Sequence, residues 1–144
     1  MKQTNPIHKK CLAILYLALI TFSALTRADN IAGNNGPIEI TPLVHSSVQL
    51  EYDGFVVQVD PWAAVDISHA KTADLILVTD SPDHHLDSEA ITNLSDLDTS
   101  VVIAQNGLSK LPNGVVANNG ELLNVSGVTT VSYTHLRAHE TFAN

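Results

Sequence analysis

The chain has 144 residues, a formal net charge of −8 and a hydrophobic fraction of 44%, which suits one small domain with a modest core. Between residues 29 and 130, fourteen acidic side chains stand against only Lys71 and Lys110, a net charge of −12. Nucleic acids and anionic lipid surfaces both select basic patches, so this composition argues against either as a partner. Solubility in an exported compartment is the simplest reason for the acidity.

The first 28 residues have the pattern of a secretory signal peptide. Three lysines form the positively charged start, Cys11 to Leu25 form the apolar core, and Thr26-Arg27-Ala28 is a small-residue cleavage pattern. We therefore predict a mature chain that begins at Asp29, is secreted or periplasmic, and keeps no stable membrane anchor after cleavage. The alternative is an uncleaved anchor, which the short apolar core disfavours. The mature chain would contain no cysteine, which excludes disulfides and thiol chemistry.

The mature sequence opens with a polar segment and a predicted meander of strands. Asp29 to Gly36 is rich in Gly and Asn, and is predicted to be a disordered leader. A strand follows from Ile38 to Val44, and Pro42 within it favours an edge position. Asp53-Gly54 separates two further apolar strands and predicts a type I′ hairpin, because both of its central residues need positive φ. Those two strands are Val48 to Tyr52 and Phe55 to Val59.

A buried strand and a helix come next. After Asp60-Pro61-Trp62, an irregular crossover leads to Leu75 to Val78, a continuous apolar run typical of a strand covered on both faces. A helix of about ten residues is predicted from Ser88, with Asp87 as its N-cap and with Leu86 and Ile91 as a hydrophobic staple. Shorter elements complete the prediction: a strand at Val101 to Ala104, a helical turn at Gly107 to Leu111, and strands at Val115 to Ala117 and Leu122 to Val125.

The loop between that strand and that helix, Thr79 to Asp87, is the strongest candidate for a functional site. Loops at the carboxyl ends of strands line the ligand crevice of open α/β sheets. This one carries aspartates and histidines that can bind a metal ion or move a proton: Asp80, Asp83, His84, His85 and Asp87.

Three stretches of the chain resemble the metallo-β-lactamase-fold hydrolases, and in particular the branch of the L-ascorbate-6-phosphate lactonases. They are HSSVQLEYDG (His45 to Gly54), VVQVDPW (Val56 to Trp62) and ADLILVTDSPDHHLDSEAI (Ala73 to Ile91). The resemblance implies an α/β (α+β) fold, in which residues 37–130 form the N-terminal half of an αββα sandwich. It also implies hydrolysis of a small-molecule substrate by metal-activated water.

The metal loop departs from the pattern of this family. The family reads T-H-x-H-x-D-H-L-D, whereas this chain reads T-D-S-P-D-H-H-L-D. Asp80 then stands at the first histidine, Pro82 at the second and His84 at the aspartate, and only His85 is matched. Proline cannot coordinate a metal, while Asp80 and His84 keep a donor. The resemblance therefore implies zinc or another divalent ion held weakly by Asp80, His84 and His85.

Two further residues are candidates for supporting that loop. Asp60 matches the aspartate that orients the family's metal loop from outside the ligand set, and the alternative is an Asp-Pro turn starter. His45 matches a histidine that is often present in the lactonase-like branch, and the alternative is a partly buried histidine bonded to backbone.

The last segment, residues 131–144, is predicted to be a non-native tail. VSYTHLRAHET (Val131 to Thr141) is the peptide that one reading frame of a transposon-end sequencing adapter would encode. The alternative is a natural polar tail with a zinc-binding pair at His135 and His139. With half of the family's domain and a changed metal loop, we expect a truncated, exported, hydrolase-like protein with little or no activity. The alternative is a non-catalytic binding or scaffold protein that retains the fold.

Overall fold

The computed structural model describes residues 28–133, so nearly all of the predicted signal peptide and residues 134–144 of the predicted tail lie outside the described range. Seven strands form one mixed sheet in the order β1 to β7, and two more form a separate hairpin. The strands are β1 (Asp29–Gly33), β2 (Gly36–Val44), β3 (Ser47–Tyr52), β4 (Phe55–Val59), β5 (Leu75–Val78), β6 (Ser100–Ala104), β7 (Val115–Ala117), β8 (Leu122–Val125) and β9 (Val128–Val131). Within residues 28–133, no helix is long and apolar enough to cross a membrane.

The predicted Asp-Gly hairpin is confirmed. Asp53 and Gly54 have φ of 51° and 81°, the positive values that a type I′ turn requires. The turn sets the antiparallel register of β3 and β4, in which Tyr52 pairs with Phe55 and Val48 with Val59. Strands β2, β3 and β4 therefore form the predicted meander.

Two expectations for the start of the mature chain were wrong. The predicted leader is strand β1, which pairs antiparallel with β2 from Asp29↔Ile40 to Gly33↔Gly36. Its Asn and Gly residues favour the tight turn to β2, where Gly36 has a φ of 137°. Because β1 covers it, β2 is not an edge strand. Pro42 is tolerated there because the register with β3 shifts beside it, and a bulge needs no ladder bond from proline.

The second half of the sheet is parallel, from β4 through β5 and β6 to β7. One helix, α1 (Ser88–Leu94), follows β5. The predicted N-cap is confirmed, since Asp87 Oδ1 accepts from the backbone N–H groups of Glu89 at 2.9 Å and Ala90 at 3.3 Å. The helix has seven residues, shorter than predicted, because Ser95 turns extended and its hydroxyl bonds to Ile91 O at 2.6 Å.

The core lies between α1 and one face of the sheet. Its buried members are Ile67, Ala73, Ile76, Val78, Leu86, Ala90, Ile91, Leu94 and Ile103. Side chains alternate along a strand, so Leu75, Leu77 and Val102 lie on the opposite face. A cleft of about 200 Å³ separates Leu77 and Val102 from Thr130 on the β8–β9 hairpin. The predicted mixed α+β class is therefore confirmed, with a helix layer on one face of the sheet and a hairpin beside the other.

Candidate functional site

Asp60 joins the ends of β4 and β5. It follows β4 with a φ of 45°, and its backbone N–H donates to Leu77 O at 2.9 Å. Its side chain is almost fully buried, and the residue is 2% exposed. Oδ1 accepts from the backbone N–H of Thr79 at 2.8 Å, while Oδ2 accepts from Thr79 Oγ1 at 2.7 Å. This carboxylate therefore fixes the first residue of the candidate loop to the sheet.

The same carboxylate also holds His85. His85 Nδ1 lies 2.6 Å from Asp60 Oδ2, and the imidazole side chain is 22% exposed. In the neutral ring, this bond places the proton on Nδ1 and leaves the lone pair on Nε2. The buried Asp60 carboxylate thus orients the His85 imidazole, while its part in supporting a metal site stays a prediction. The atom available to a ligand or a proton is Nε2.

The His85 ring lies among three other rings, and we call the four of them the ring cluster: His45, Trp62, His84 and His85. The His45 ring lies edge-on to Trp62 at 5.8 Å and to His84 at 5.0 Å, and the His84 and His85 rings are 4.4 Å apart. His45 is exposed and has a φ of 53°. It lies within the ring cluster at the rim of the site, so it is not the partly buried histidine of the alternative, and its support of the loop stays a prediction.

At the other end of the loop, Asp80 is bonded away from the histidines. Its Oδ1 accepts from the Ser81 N–H at 2.8 Å and from Asn106 Nδ2 at 2.6 Å. The Ser81 bond, then the Asn106 bond, lower the pKa of Asp80 below its ordinary value, with smaller contributions from His85 and His84. Asp80 therefore stays a carboxylate whose oxygen is already engaged by protein.

Lys110 is hydrogen-bonded to the middle of the loop. Its ammonium donates to Ser81 O at 2.7 Å and to Asp83 Oδ1 at 2.5 Å. The Lys110 hydrogen bond, reinforced by its charge, lowers the pKa of the Asp83 carboxyl. We call the segment Asp80 to Asp83 the surface arm of the loop, and the segment His85 to Asp87 the anchored arm.

Sequence reasoning missed both residues that hold the surface arm. Asn106 and Lys110 lie 26 and 27 residues beyond their partners Asp80 and Asp83. Asn106 lies on a 3₁₀ turn at Gln105–Gly107 that follows β6, and Lys110 lies just beyond it. The turn predicted at Gly107 to Leu111 is present after this 3₁₀ turn, since Gly107 O accepts from the backbone N–H groups of Lys110 and Leu111, both at 3.0 Å. No local pattern pairs side chains so far apart, because only the parallel alignment of β5 and β6 brings the two loops together.

The predicted metal ligands do not assemble. Among residues 28–133, no three His, Cys, Asp or Glu side chains are arranged so that they could hold a metal ion. The expected group of Asp80, His84 and His85 is therefore not formed, because Asp80 is bonded to Asn106 while His85 is bonded to Asp60. Pro82 supplies no donor between them. The residues present do not fit the metal centre that the family implies.

A cleft opens beside the surface arm, at the carboxyl ends of β5, β6 and β7. Its volume is about 510 Å³. We call it the amide cleft, because four side-chain amides and one carboxylate account for most of its polar lining: Asp80, Gln105, Asn106, Asn118 and Asn119. Thr79, Ala104, Ala117, Ser132 and Tyr133 complete it.

Comparison with known proteins identifies the family and the fold. The β-lactamase superfamily domain matches residues 39–144. The chain belongs to this family. A crystal structure from Parabacteroides distasonis, of a protein named as a metal-dependent hydrolase, is similar with a TM-score of 0.65 and 32% identity, over 70% of this chain and 47% of that one. The metallo-β-lactamase fold predicted from the sequence is therefore confirmed, while the lactonase branch stays a prediction.

A second solved structure shares less. It is a metallo hydrolase from the hyperthermophilic archaeon Ignicoccus hospitalis, with a TM-score of 0.48 and 20% identity over 60% of this chain and 42% of that one. No protein of curated function matches the chain. The chain spans about half the length of the Parabacteroides protein.

Proposed function

We propose that this chain is an exported protein of the metallo-β-lactamase fold, hydrolase-like in its site, that turns over little or no substrate as it stands. A single observation carries the proposal: where the family places a metal-binding histidine, the chain has Pro82, and the described residues contain no group of three metal donors. The substrate class of an intact site of this kind is a small molecule.

The site retains one oriented histidine, His85, without a set of metal ligands around it. The Asp60 carboxylate keeps the lone pair of His85 on Nε2, so this atom can accept a proton or contribute one bond to a cation. Zinc sites ordinarily use at least three protein donors. Zinc or another divalent ion would therefore be held weakly, with His85, His84 and Asp80 as the nearest donors.

A turnover assay tests the inactivity. The full chain is purified, supplied with zinc, and offered lactone, phosphodiester and β-lactam probes. We expect hydrolysis no faster than that of the His85→Ala variant. Robust turnover by the parent chain that His85→Ala abolishes would contradict the proposal, since it would show a working site despite Pro82.

Export is the second part of the proposal. It is supported by the signal-peptide pattern of residues 1–28. The test is expression in a bacterial host, followed by mass spectrometry of the product in each compartment. The expected product is outside the cytoplasm and starts at Asp29. A cytoplasmic product that keeps residues 1–28 would contradict export.

A non-catalytic binding protein is the second candidate, and the surface arm favours it. Asn106 and Lys110 hold this arm with protein hydrogen bonds at the place where the family uses a metal ion. A scaffold that retained the fold after losing the metal centre would need such a replacement. Binding of a small ligand by a chain without hydrolytic turnover would distinguish this candidate from the hydrolase.

A further inference from the structure

The amide cleft has the size and position of a ligand site. Three consecutive parallel strands deliver its polar side chains, with Asp80 after β5, Gln105 and Asn106 after β6, and Asn118 after β7. Its volume of about 510 Å³ lies within the range of small-molecule pockets. Ligands of open α/β sheets bind at this edge, outside the carboxyl ends of the strands.

The hydrogen-bonding groups of the cleft both donate and accept, and the carboxylate of Asp80 adds to the acceptors. Asn106 Nδ2 donates to Asp80 Oδ1 at 2.6 Å, and Asn118 Nδ2 donates to Glu121 Oε2 at 3.0 Å. Asn106 and Asn118 have thus each used one of their two N–H groups, while their carbonyl oxygens have lone pairs to offer. Asp80, as a carboxylate, adds acceptor oxygens and no donor. A matching ligand must therefore bring hydrogen-bond donors as well as acceptors.

The charge of the cleft disfavours anionic ligands. No lysine, arginine or histidine is among its lining residues within 28–133, and Asp80 is the one charged side chain there. Lys110 lies on the neighbouring turn, but it donates to Ser81 O and Asp83. A phosphate or carboxylate group would face Asp80 without a countercharge, and like charges brought together oppose binding.

We propose that the amide cleft binds a small polyhydroxylated molecule, a sugar or sugar derivative that is neutral or carries an amine, and that it discriminates against phosphorylated forms. Hydroxyl groups both donate and accept, so they satisfy amide carbonyls and a carboxylate, whereas a phosphate dianion offers acceptors alone. This inference deepens the proposed function, because the cleft adjoins the same loop and its ligand would be the substrate class of that site. Ser132 and Tyr133, which belong to the predicted tail, form part of the wall that encloses this volume, while the ligand class follows from the polar side chains after β5, β6 and β7.

The test measures binding on the full chain without requiring turnover. D-glucosamine, D-glucose and D-glucose 6-phosphate are compared at equal concentration by saturation-transfer NMR, with dissociation constants from titration. We expect glucosamine and glucose to bind, and glucose 6-phosphate to bind at least about tenfold more weakly than glucose. Equal or tighter binding of the phosphate, or no binding of either uncharged or amine-bearing sugar, would overturn the proposal.

Variants place the binding in the cleft. Gln105→Ala removes an exposed amide of the lining and should weaken glucose binding several-fold. Asp80→Asn removes the negative charge and should reduce the difference in affinity between glucose and glucose 6-phosphate. The matched control is Asn93→Ala, which removes an exposed amide on α1 outside the cleft. Equal losses in Gln105→Ala and the control would overturn the assignment.

Binding and hydrolysis fail separately in this design. Sugar binding with no turnover agrees with both proposals. Zinc-dependent turnover of a lactone or phosphodiester would contradict the inactivity proposal, and absence of sugar binding would separately contradict the cleft inference. A chain that binds no sugar and shows no turnover would overturn the cleft inference alone and leave the inactivity proposal standing.

Discussion

The two arms of the candidate loop are held in different ways, although only His84 separates them. The anchored arm belongs to the interior: Leu86 is 2% exposed within the core, and His85 is bonded to the equally buried Asp60. The surface arm has exposed partners, Asn106 and Lys110. The anchored arm keeps the residues of the family pattern, His-Leu-Asp, whereas the surface arm departs from it. The anchored arm is therefore held by the core and by Asp60, and the surface arm by side chains that follow β6.

Burial decides how much each arm contributes to stability. Hydrogen bonds to a buried charged group contribute about 1.5–3 kcal/mol each, and removing the acceptor leaves donors without partners. Exposed ion pairs contribute little, because water and salt screen them. We therefore predict that substitutions around Asp60 lower the free energy of unfolding strongly and that substitutions around Lys110 change it little.

The largest effect is expected for Asp60→Ala. The substitution leaves the backbone N–H of Thr79, its hydroxyl and His85 Nδ1 without their acceptor. We expect the free energy of unfolding to fall by about 3 kcal/mol or more, measured by urea denaturation followed by circular dichroism. The control is Asp66→Asn, which changes an exposed aspartate that accepts from the backbone N–H of the nearby Ser68, and it should leave the free energy of unfolding nearly unchanged. Similar losses in both variants would contradict the ranking.

Asp87→Ala comes next. Asp87 caps α1 through Glu89 and Ala90, and its Oδ2 also accepts from the backbone N–H of Ala63 at 3.0 Å. Loss of the cap should cost about 1–2 kcal/mol, seen in the same urea transition. Because Oδ2 also ties the crossover after β4 to the loop, Asp87→Asn should recover part of the loss. An alanine variant as stable as the parent would show that the Asp87 cap does not stabilise the anchored arm.

A smaller and local effect is expected for Lys110→Met. The methionine keeps much of the apolar stem but removes the ammonium that donates to Ser81 O and Asp83. The urea transition should not move measurably, while the backbone N–H groups of Ser81 and Asp83 should exchange faster with deuterium. Lys71→Met is the matched control, since Lys71 pairs with Glu51 far from the loop in sequence and should leave those amides unchanged. Exchange that is unaltered in Lys110→Met would refute the part assigned to Lys110.

Acid should release the surface arm only below the ordinary pKa of an aspartate. The pKa values of Asp80 and Asp83 are lowered from their ordinary value of 3.8, mainly by the Ser81 and Lys110 bonds respectively. A lowered carboxyl pKa adds stability that is fully present above the unfolded value and is lost as pH falls through the folded one. The backbone amide resonance of Ser81, followed by NMR, should therefore shift with a midpoint below 3.8 in the parent chain. A midpoint at or above 3.8 would be inconsistent with these bonds.

The anchored arm could be predicted from the sequence, and the surface arm could not. The buried strand β5, the cap at Asp87 and the Asp53-Gly54 turn follow from local patterns of burial, capping and φ. The partners of Asp80 and Asp83 depend on the alignment of two loops after parallel strands, which no local pattern encodes. Strand β1 was missed for a related reason, since its pairing with β2 overrides a polar composition that favours disorder.

The most direct test of the account is thermal and chemical unfolding of the full chain with zinc and with a chelator, with the single tryptophan, Trp62, as a fluorescent reporter 6.2 Å from the His84 ring. A ligand present at about 100 times its dissociation constant stabilises the native state by about 2.7 kcal/mol, so a site of about 1 µM affinity would show that shift at about 100 µM zinc. We predict a shift below about 1 kcal/mol and a nearly unchanged Trp62 signal, because the loop is already held by Asp60, Asn106 and Lys110. A shift of about 2.7 kcal/mol or more that His85→Ala abolishes would contradict the central claim and restore a functioning metal centre to this loop.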